Sequence, residues 1–212
     1  MAEPEVAVGK SATVRFDGAL CIHARRCVLT EPGVYKANVQ GPWIDPDADT
    51  PEAVMRTAIN CPSGAIHVTR TDGGPQEPEP EVNTITIREN GPLAVYAQIE
   101  IGGAQVGYRA TLCRCGASNN KPYCDGSHAA AQFVSTGEPP AKESQPLARR
   151  NGGVKVTPYP NGPLGISGPV EILTGTGHTI DRTERAALCR CGHSNAKPYC
   201  DGTHSKIGFV AP

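Results

Sequence analysis

Six of the nine cysteines in this 212-residue chain fall into two identically spaced groups, and a histidine follows each group. The two sets of four donors are Cys113, Cys115, Cys124 and His128, and Cys189, Cys191, Cys200 and His204. Every member of the first set recurs in the second at an offset of 76 residues. Three thiolates and one imidazole are donors that soft or borderline metals prefer. The sequence therefore predicts a duplicated metal site with four protein ligands in each copy.

The residues around these donors are duplicated as well. Lys121-Pro122-Tyr123 precedes the third cysteine of the first set, and Lys197-Pro198-Tyr199 precedes its counterpart. The tracts that follow are Cys124-Asp-Gly-Ser-His128 and Cys200-Asp-Gly-Thr-His204, and Ser118 and Ser194 match upstream of them. Agreement at so many positions indicates two copies of one module rather than a chance repetition.

This pattern resembles the CDGSH iron–sulfur family (mitoNEET-like), here with tandem motifs. The resemblance extends from about residue 83 to the end of the chain. It implies a [2Fe–2S] cluster at each motif, held by three cysteines and one histidine. It also implies that the two β-rich modules pair within the chain as one pseudo-twofold unit, because members of the family pair as symmetric dimers.

The donor types set the expected chemistry. Only one residue separates Cys113 from Cys115, so both thiolates can reach one iron, which leaves Cys124 and His128 for the second. An imidazole in place of a thiolate removes negative charge and raises the reduction potential. Because protons compete for the imidazole, we expect clusters that are lost in acid and have pH-dependent potentials. The basic residues inside the motifs are expected to offset cluster charge: Arg114, Lys121, Arg190 and Lys197.

Ligand spacing alone leaves a second interpretation open. Three cysteines and one histidine also describe a structural zinc site, which is tetrahedral and has no redox chemistry. The chain would then be a colourless, zinc-stabilised interaction scaffold. Of the other histidines, His67 and His178 are interpreted as bystanders. His193, which replaces Ala117 of the first copy, is interpreted as a solvated loop side chain, the alternative being that it tunes the second cluster.

The remaining cysteines, Cys21, Cys27 and Cys61, form a different pattern near the N-terminus. Their spacing and the following Pro62 resemble single-cluster bacterial ferredoxins, which implies a third cluster of the [3Fe–4S] or [4Fe–4S] type. The position of a further cysteine in such ferredoxins is Ala24 here, so a [4Fe–4S] cluster would need His23 or water as a substitute ligand. The alternative is that the three are ordinary buried thiols that hold no cluster.

Several elements must position these donors. Thr50-Pro51-Glu52 is typical of a helix start, and a helix from Pro51 to about Asn60 would place Cys61 at its end. The other expected elements are strands at 14–16, 65–68, 84–87, 93–101, 154–156 and 164–173, a hairpin around 174–177, and short helices near His128 and His204. We expect Asp-Gly-Ser and Asp-Gly-Thr to supply the capping side chains of those short helices.

Composition indicates small modules rather than one large core. With 24 Gly, 20 Pro and only 5% aromatic residues, short strands and turns should dominate, and bound metal should supply part of the folding free energy. The predicted organisation is a divergent ferredoxin-like module at 1–71, linkers at 72–82 and 137–153, and CDGSH-type modules at 83–136 and 154–212. The predicted fold class is a small, metal-stabilised α+β or mostly β protein.

The chain also excludes several functions. A net charge of −1 provides no basic surface for nucleic acid. No run of 18 apolar residues and no apolar leader is found, so neither a membrane span nor secretion is expected. Cysteines in metal-spaced triplets favour a reducing, cytoplasmic compartment. No nucleotide-binding or hydrolase motif is present, so we expect no enzyme activity.

The resulting hypothesis is a monomeric iron–sulfur protein that acts in electron transfer or cluster transfer. Its partners would be redox proteins or apo-protein acceptors of clusters. A redox or iron sensor, in which a labile cluster changes an interaction surface, is the alternative from another functional class.

Overall fold

The computed structural model describes residues 3–212, and the chain divides into two compact units, Met1–Pro78 and Glu79–Pro212. The elements of the first unit are β1 (Glu5–Val8), β2 (Ala12–Phe16), α1 (Arg26–Thr30), α2 (Pro51–Asn60) and β3 (Ile66–Arg70). Its strands form an antiparallel sheet in the order β1-β2-β3. One-turn 3-10 segments lie at Gly18–Leu20 and Pro46–Ala48.

Helix α2 begins and ends where the sequence predicts. The side chain of Thr50 accepts a hydrogen bond from the backbone N–H of Ala53 (3.3 Å), and Pro51 occupies the first helical position. This satisfies one of the N–H groups that a helix start leaves without an intrahelical partner. The helix buries Val54 against the core of the unit and ends at Asn60, which places Cys61 directly after its last turn.

All six strands of the second unit lie in one sheet. Its elements are β4 (Thr84–Ile87), β5 (Leu93–Ile101), β6 (Ala104–Leu112), α3 (Ser127–Ala130), β7 (Gly153–Pro158), β8 (Leu164–Leu173), β9 (Thr179–Leu188) and α4 (Thr203–Lys206). The predicted strands 84–87, 93–101 and 164–173 are confirmed with the same bounds, and the 174–177 turn joins β8 to β9.

The sheet joins the two copies of the repeat. Strands β4, β5 and β6 form an antiparallel meander, and β7, β8 and β9 form another. Across the repeats, β4 pairs with β8 and β5 pairs with β7, both in parallel orientation. Because β4 corresponds to β7 and β5 to β8, exchanging the repeats maps one cross-pair onto the other. Apolar side chains from both copies fill a single core, including Ile85, Leu93, Ile99, Val156, Leu164 and Leu188.

Some elements were not predicted. In β9 the charged residues Arg182 and Glu184 interrupt the apolar alternation, and β6 contains Gly107 at a positive φ, so both strands have weak sequence signals. Helix α1 has five residues and no side-chain cap, which leaves little signal in the sequence.

The segment expected to be a linker, 137–153, packs along the second repeat. The backbone N–H of Lys142 donates to the carbonyl of Ile180 (2.7 Å), and that of Arg182 donates to Ser144 Oγ (3.1 Å). The segment therefore forms part of the unit rather than a free tether. Within residues 3–212, no helix has the length and apolar character that crossing a bilayer requires.

Candidate metal centres

The first set of donors lies at the end of β6. After this strand the chain turns and pairs back on itself, so that Cys113 N donates to Pro122 O (2.8 Å) and Cys124 N donates to Thr111 O (2.9 Å). Leu112 and Tyr123 form an isolated antiparallel β-bridge between these two hydrogen bonds. This return of the backbone brings the third cysteine beside the first two.

The donors of the first set are arranged in two pairs. The sulfur atoms of Cys113 and Cys115 are 3.8 Å apart, and Cys124 Sγ is 3.4 Å from Nδ1 of His128. Two thiolates bound at ~2.3 Å to one tetrahedral metal would lie about 3.8 Å apart, and a thiolate and an imidazole about 3.5 Å apart. Each pair therefore has the spacing of two ligands on one metal.

The second set repeats this arrangement with one difference. Cys189 and Cys191 again hold their sulfur atoms 3.8 Å apart, and the backbone of Cys200 again pairs with the end of its strand. Nδ1 of His204, however, lies 3.3 Å from the hydroxyl of Ser205. The first motif has Ala129 at that position and no hydroxyl to offer. The two histidines thus differ in what their Nδ1 atoms face.

The aspartate of each motif fixes the loop that holds the donors. Asp125 accepts hydrogen bonds from the backbone N–H groups of Asn119 (2.8 Å) and Ser127 (3.0 Å), and Asp201 makes the same two contacts in its own motif. Burial alone would raise the pKa of Asp125, but these hydrogen bonds outweigh it and the pKa is lowered. The carboxylate is therefore kept ionised as an acceptor.

The short helices begin differently from the prediction. The residue before each helix is Gly126 or Gly202, in left-handed conformation and without a capping side chain, and each helix has four residues. The carboxylate before the glycine accepts from the first helical N–H instead, as described for Asp125. The aspartate of each predicted tract therefore contacts the helix start, whereas Ser127 and Thr203 are the first helical residues and a glycine stands at the capping position itself.

The thiols of the first set differ in how readily they lose a proton. A hydrogen bond from Cys115 lowers the pKa of Cys113 to about 6, and the same bond raises the pKa of Cys115. Burial raises the pKa of Cys124 to about 11. A metal that binds must displace the protons held by these thiols, which makes metal affinity depend on pH.

The arginine between the paired cysteines is buried rather than solvated. Arg114 is 1% exposed, and its guanidinium donates to the carbonyls of Gly91 (3.0 Å) and Arg88 (2.6 Å). It also donates to the Ser135 hydroxyl and to the carbonyls of Ser135 and Thr136. The side chain thus fastens the ligand loop to the β4–β5 turn and to the segment after α3.

Arg190 does the same in the second motif. It is 1% exposed and donates to the carbonyls of Gly162 (3.0 Å), Tyr159 (2.6 Å) and Pro212 (2.8 Å). The lysines are also engaged, since Lys121 and Lys197 each donate to a backbone carbonyl of their own loop. The four basic residues of the motifs are therefore part of the loop structure.

The two ligand loops contact each other through their glycines. A Cβ atom added to Gly116 would lie 2.6 Å from the carbonyl oxygen of Cys191, and one added to Gly192 would lie 2.5 Å from that of Cys115. Both glycines have φ of +83°, which L side chains rarely adopt. Neither role was predicted, although a glycine follows the second cysteine in both copies and comparison of the repeats could have indicated it.

The first unit brings its three cysteines to one cavity. Cys21, Cys27 and Cys61 line a cavity of about 710 Å³, and His23 and Ala24 line it as well. Burial, together with the charge of the neighbouring thiols, raises the pKa of Cys21 and Cys27. The distant Cys61 thus reaches the same space as the other two.

A buried hydroxyl lies close to these thiols. Tyr35 is 0% exposed, and within the described part of the chain its hydroxyl has no hydrogen-bond partner. Cys27 and Cys61 pack against the core that contains it. Burial and the charges of these two thiols raise its pKa. Sequence reasoning missed this residue, because a single tyrosine carries no spacing signal.

The other histidines remain outside the donor pairs. His193 Nδ1 lies 2.8 Å from the carbonyl oxygen of Cys191, His178 follows the β8–β9 turn, and His67 lies in β3.

Within residues 3–212, no group of three or more His, Cys, Asp or Glu side chains is arranged so that it could hold a single metal ion.

Two family models match parts of the chain. A family model described as an iron-binding zinc finger of the CDGSH type matches residues 90–129 and 161–205. A model described as a divergent 4Fe-4S mono-cluster matches residues 8–71. No curated protein and no solved structure matches the chain.

Proposed function

The chain carries two CDGSH-type iron-binding regions behind a divergent 4Fe-4S mono-cluster domain, and on this basis we propose that it is a single-electron carrier with two [2Fe–2S] centres. The proposed ligands are Cys113, Cys115, Cys124 and His128 for one centre, and Cys189, Cys191, Cys200 and His204 for the other. When bound, such a centre accepts and releases one electron at a time. The protein's own residues hold it, set its charge environment and limit access of water.

The observation that carries this proposal is the pairing of donors in the first motif. A single tetrahedral zinc needs all four donors around one point. Here the donors form a Cys113–Cys115 pair and a Cys124–His128 pair, each with the spacing of two ligands on one metal. Two pairs suit a centre with two metal atoms better than a single ion. The zinc-stabilised scaffold is accordingly the less favoured interpretation.

We propose further that the two CDGSH-type modules form a pseudo-twofold pair within one chain. The two parallel cross-pairs of strands support this, since exchanging the repeats interchanges them. The reciprocal contacts of Gly116 and Gly192 with the opposite ligand loop also support it. Such an arrangement would let an electron pass between the two centres inside the same protein.

For the first unit we propose a third cluster with Cys21, Cys27 and Cys61 as its ligands. The support for this is that all three thiols line one cavity, although Cys61 is distant from the other two in the sequence. Ala24 offers no donor, so a [3Fe–4S] cluster fits these residues more simply than a [4Fe–4S] cluster.

The direct test is the iron, acid-labile sulfide and zinc content of the anaerobically purified full chain. About four irons per chain would match two [2Fe–2S] centres, and about seven would add a [3Fe–4S] cluster in the first unit. Stoichiometric zinc without sulfide, after expression with ample iron, would overturn the proposal.

A second experiment separates electron transfer from its alternatives. The proposed carrier should exchange electrons with a redox partner protein while both centres stay bound. Transfer of iron and sulfide to an apo-ferredoxin would instead identify a cluster donor. A change in partner affinity on reduction, without net electron flow, would identify a sensor. We also propose that the protein acts as a cytoplasmic monomer and has no enzyme activity.

Replacing both ligand histidines, His128→Cys with His204→Cys, is expected to lower the reduction potentials on the order of 100 mV, because thiolate adds negative charge. Reduction adds negative charge and favours protonation at the free imidazole nitrogen, so the wild-type potential should fall by up to about 59 mV per pH unit as pH rises. Protein-film voltammetry from pH 6 to 9 should show this slope in the wild type and a nearly flat profile in the double variant. Identical profiles would contradict the histidine assignment.

The serine beside His204 should make the second centre the more labile one. The Ser205 hydroxyl competes with the metal for Nδ1 of His204. In the first motif Ala129 has no hydroxyl, so Nδ1 of His128 faces Cys124 without a competitor. One hydrogen bond of ~1 kcal/mol corresponds to a rate ratio of about fivefold. We expect Ser205→Ala to slow the onset of iron release to a chelator by about that factor, and the matched Ala129→Ser to hasten it. An unchanged release rate in both variants would refute this role.

A further inference from the structure

The two donor sets are in contact through the peptides of their own ligands. The carbonyl oxygen of Cys191 belongs to a ligand of the second set, and it lies where a side chain of Gly116 would be. The carbonyl oxygen of Cys115, a ligand of the first set, lies against Gly192 in the same way. A shift of either ligand peptide must therefore displace the backbone next to a ligand of the other set.

We propose that the two centres are energetically coupled, so that filling one set of ligands strengthens binding at the other and emptying one weakens the other. An empty loop can adopt several backbone conformations, and a filled loop restricts its neighbour through the Gly116 and Gly192 contacts. The second binding event then orders less of the protein and costs less entropy. This inference rests on the proposed function, since it takes both sets to hold iron and sulfide.

The first test measures the coupling in a chain whose two donor sets are unchanged. In a full chain with Cys21→Ser, Cys27→Ser and Cys61→Ser, all bound iron belongs to the two sets of interest. A chelator removes the iron gradually, and native mass spectrometry counts chains with two, one or no centres. Independent sites would leave about half of the chains singly loaded when half of the iron is gone, and more than half if the two centres differ in lability. We expect far fewer, because loss of one centre should speed loss of the other.

The second test empties one set at a time. Cys124→Ser with His128→Ala removes two ligands of the first set, and Cys200→Ser with His204→Ala removes the equivalent pair. In each variant we expect the remaining centre to lose its visible absorbance about tenfold faster than the wild type, within the usual range of coupling between sites. Amide hydrogen exchange at Gly192 should also increase in the first variant and at Gly116 in the second.

A failure of the proposed function and a failure of the coupling would give different results. Wild-type protein without iron and sulfide would overturn the proposed function. Iron and sulfide at full content, together with a singly loaded fraction of about one half or more and unchanged release rates, would overturn the coupling alone.

Discussion

Replacing Arg114 by methionine is expected to lower the free energy of unfolding of the Glu79–Pro212 unit by about 3–5 kcal/mol. The guanidinium donates five hydrogen bonds, four of them to backbone carbonyls. Methionine fills much of the same volume but donates none, so the carbonyls of Gly91 and Arg88 would lose a buried donor. Each buried group left without a partner costs about 1–3 kcal/mol. Arg114→Lys should recover only part of the loss, because one ammonium cannot span this set of acceptors.

The matched control is Arg185→Met, because Arg185 lies exposed on β9 and should change stability by less than about 0.5 kcal/mol. Urea unfolding followed by far-UV circular dichroism and by the visible absorbance of the centres would report the second unit. The only tryptophan, Trp43, lies in the first unit, so its fluorescence transition should not move. A loss below 1 kcal/mol for Arg114→Met would mean that the guanidinium is solvated after all.

The second large effect is expected at the contact between the ligand loops. Gly192→Ala should cost about 3 kcal/mol, of which about 1 kcal/mol is the strain of alanine at φ +83°. The rest arises because the new methyl group would lie 2.5 Å from the carbonyl oxygen of Cys115, so backbone must shift to make room. We also expect the variant to retain less iron at both donor sets than the wild type.

The chain provides a close control for this substitution. Gly202 has the same φ of +83°, but a Cβ atom there would have no neighbour within 4 Å. Gly202→Ala should therefore cost only the conformational term, about 1 kcal/mol. The first motif offers the same comparison, because a Cβ atom at Gly116 would contact the other loop and one at Gly126 would have no neighbour within 4 Å. Gly116→Ala should therefore cost more than Gly126→Ala. Equal losses within each pair, measured by urea unfolding, would show that the loops do not need this close contact.

Local sequence signals predicted much of the secondary structure. Helix α2 was predicted because Thr50 and Pro51 satisfy a helix start in a way that few other residues do. Strands β5 and β8 were predicted because alternating apolar residues follow identical turn sequences. In contrast, the pairing of β4 with β8 and of β5 with β7 has no local signal. It results from burying the apolar faces of both repeats in one core, and single-repeat patterns do not reveal that.

The candidate sites, too, could be predicted from the sequence only in part. The 76-residue offset identifies the eight donor residues, since repeated spacing is visible in the sequence. It does not reveal what lies around them. Arg114 was expected to offset cluster charge, but its guanidinium donates hydrogen bonds to carbonyls of a turn far away in the chain. The difference between His204 and His128 likewise depends on which neighbour faces the ring, and only the three-dimensional arrangement shows it.

Because both repeats share one core and one sheet, the partner of each repeat is always present at a fixed, very high local concentration. Dilution cannot separate the two halves, as it can separate the subunits of a dimer made of identical chains. The covalent link also releases the halves from the need to be identical. Substitutions such as Ser205 in one copy and Ala129 in the other can therefore accumulate, and one half can specialise while its neighbour maintains the shared scaffold.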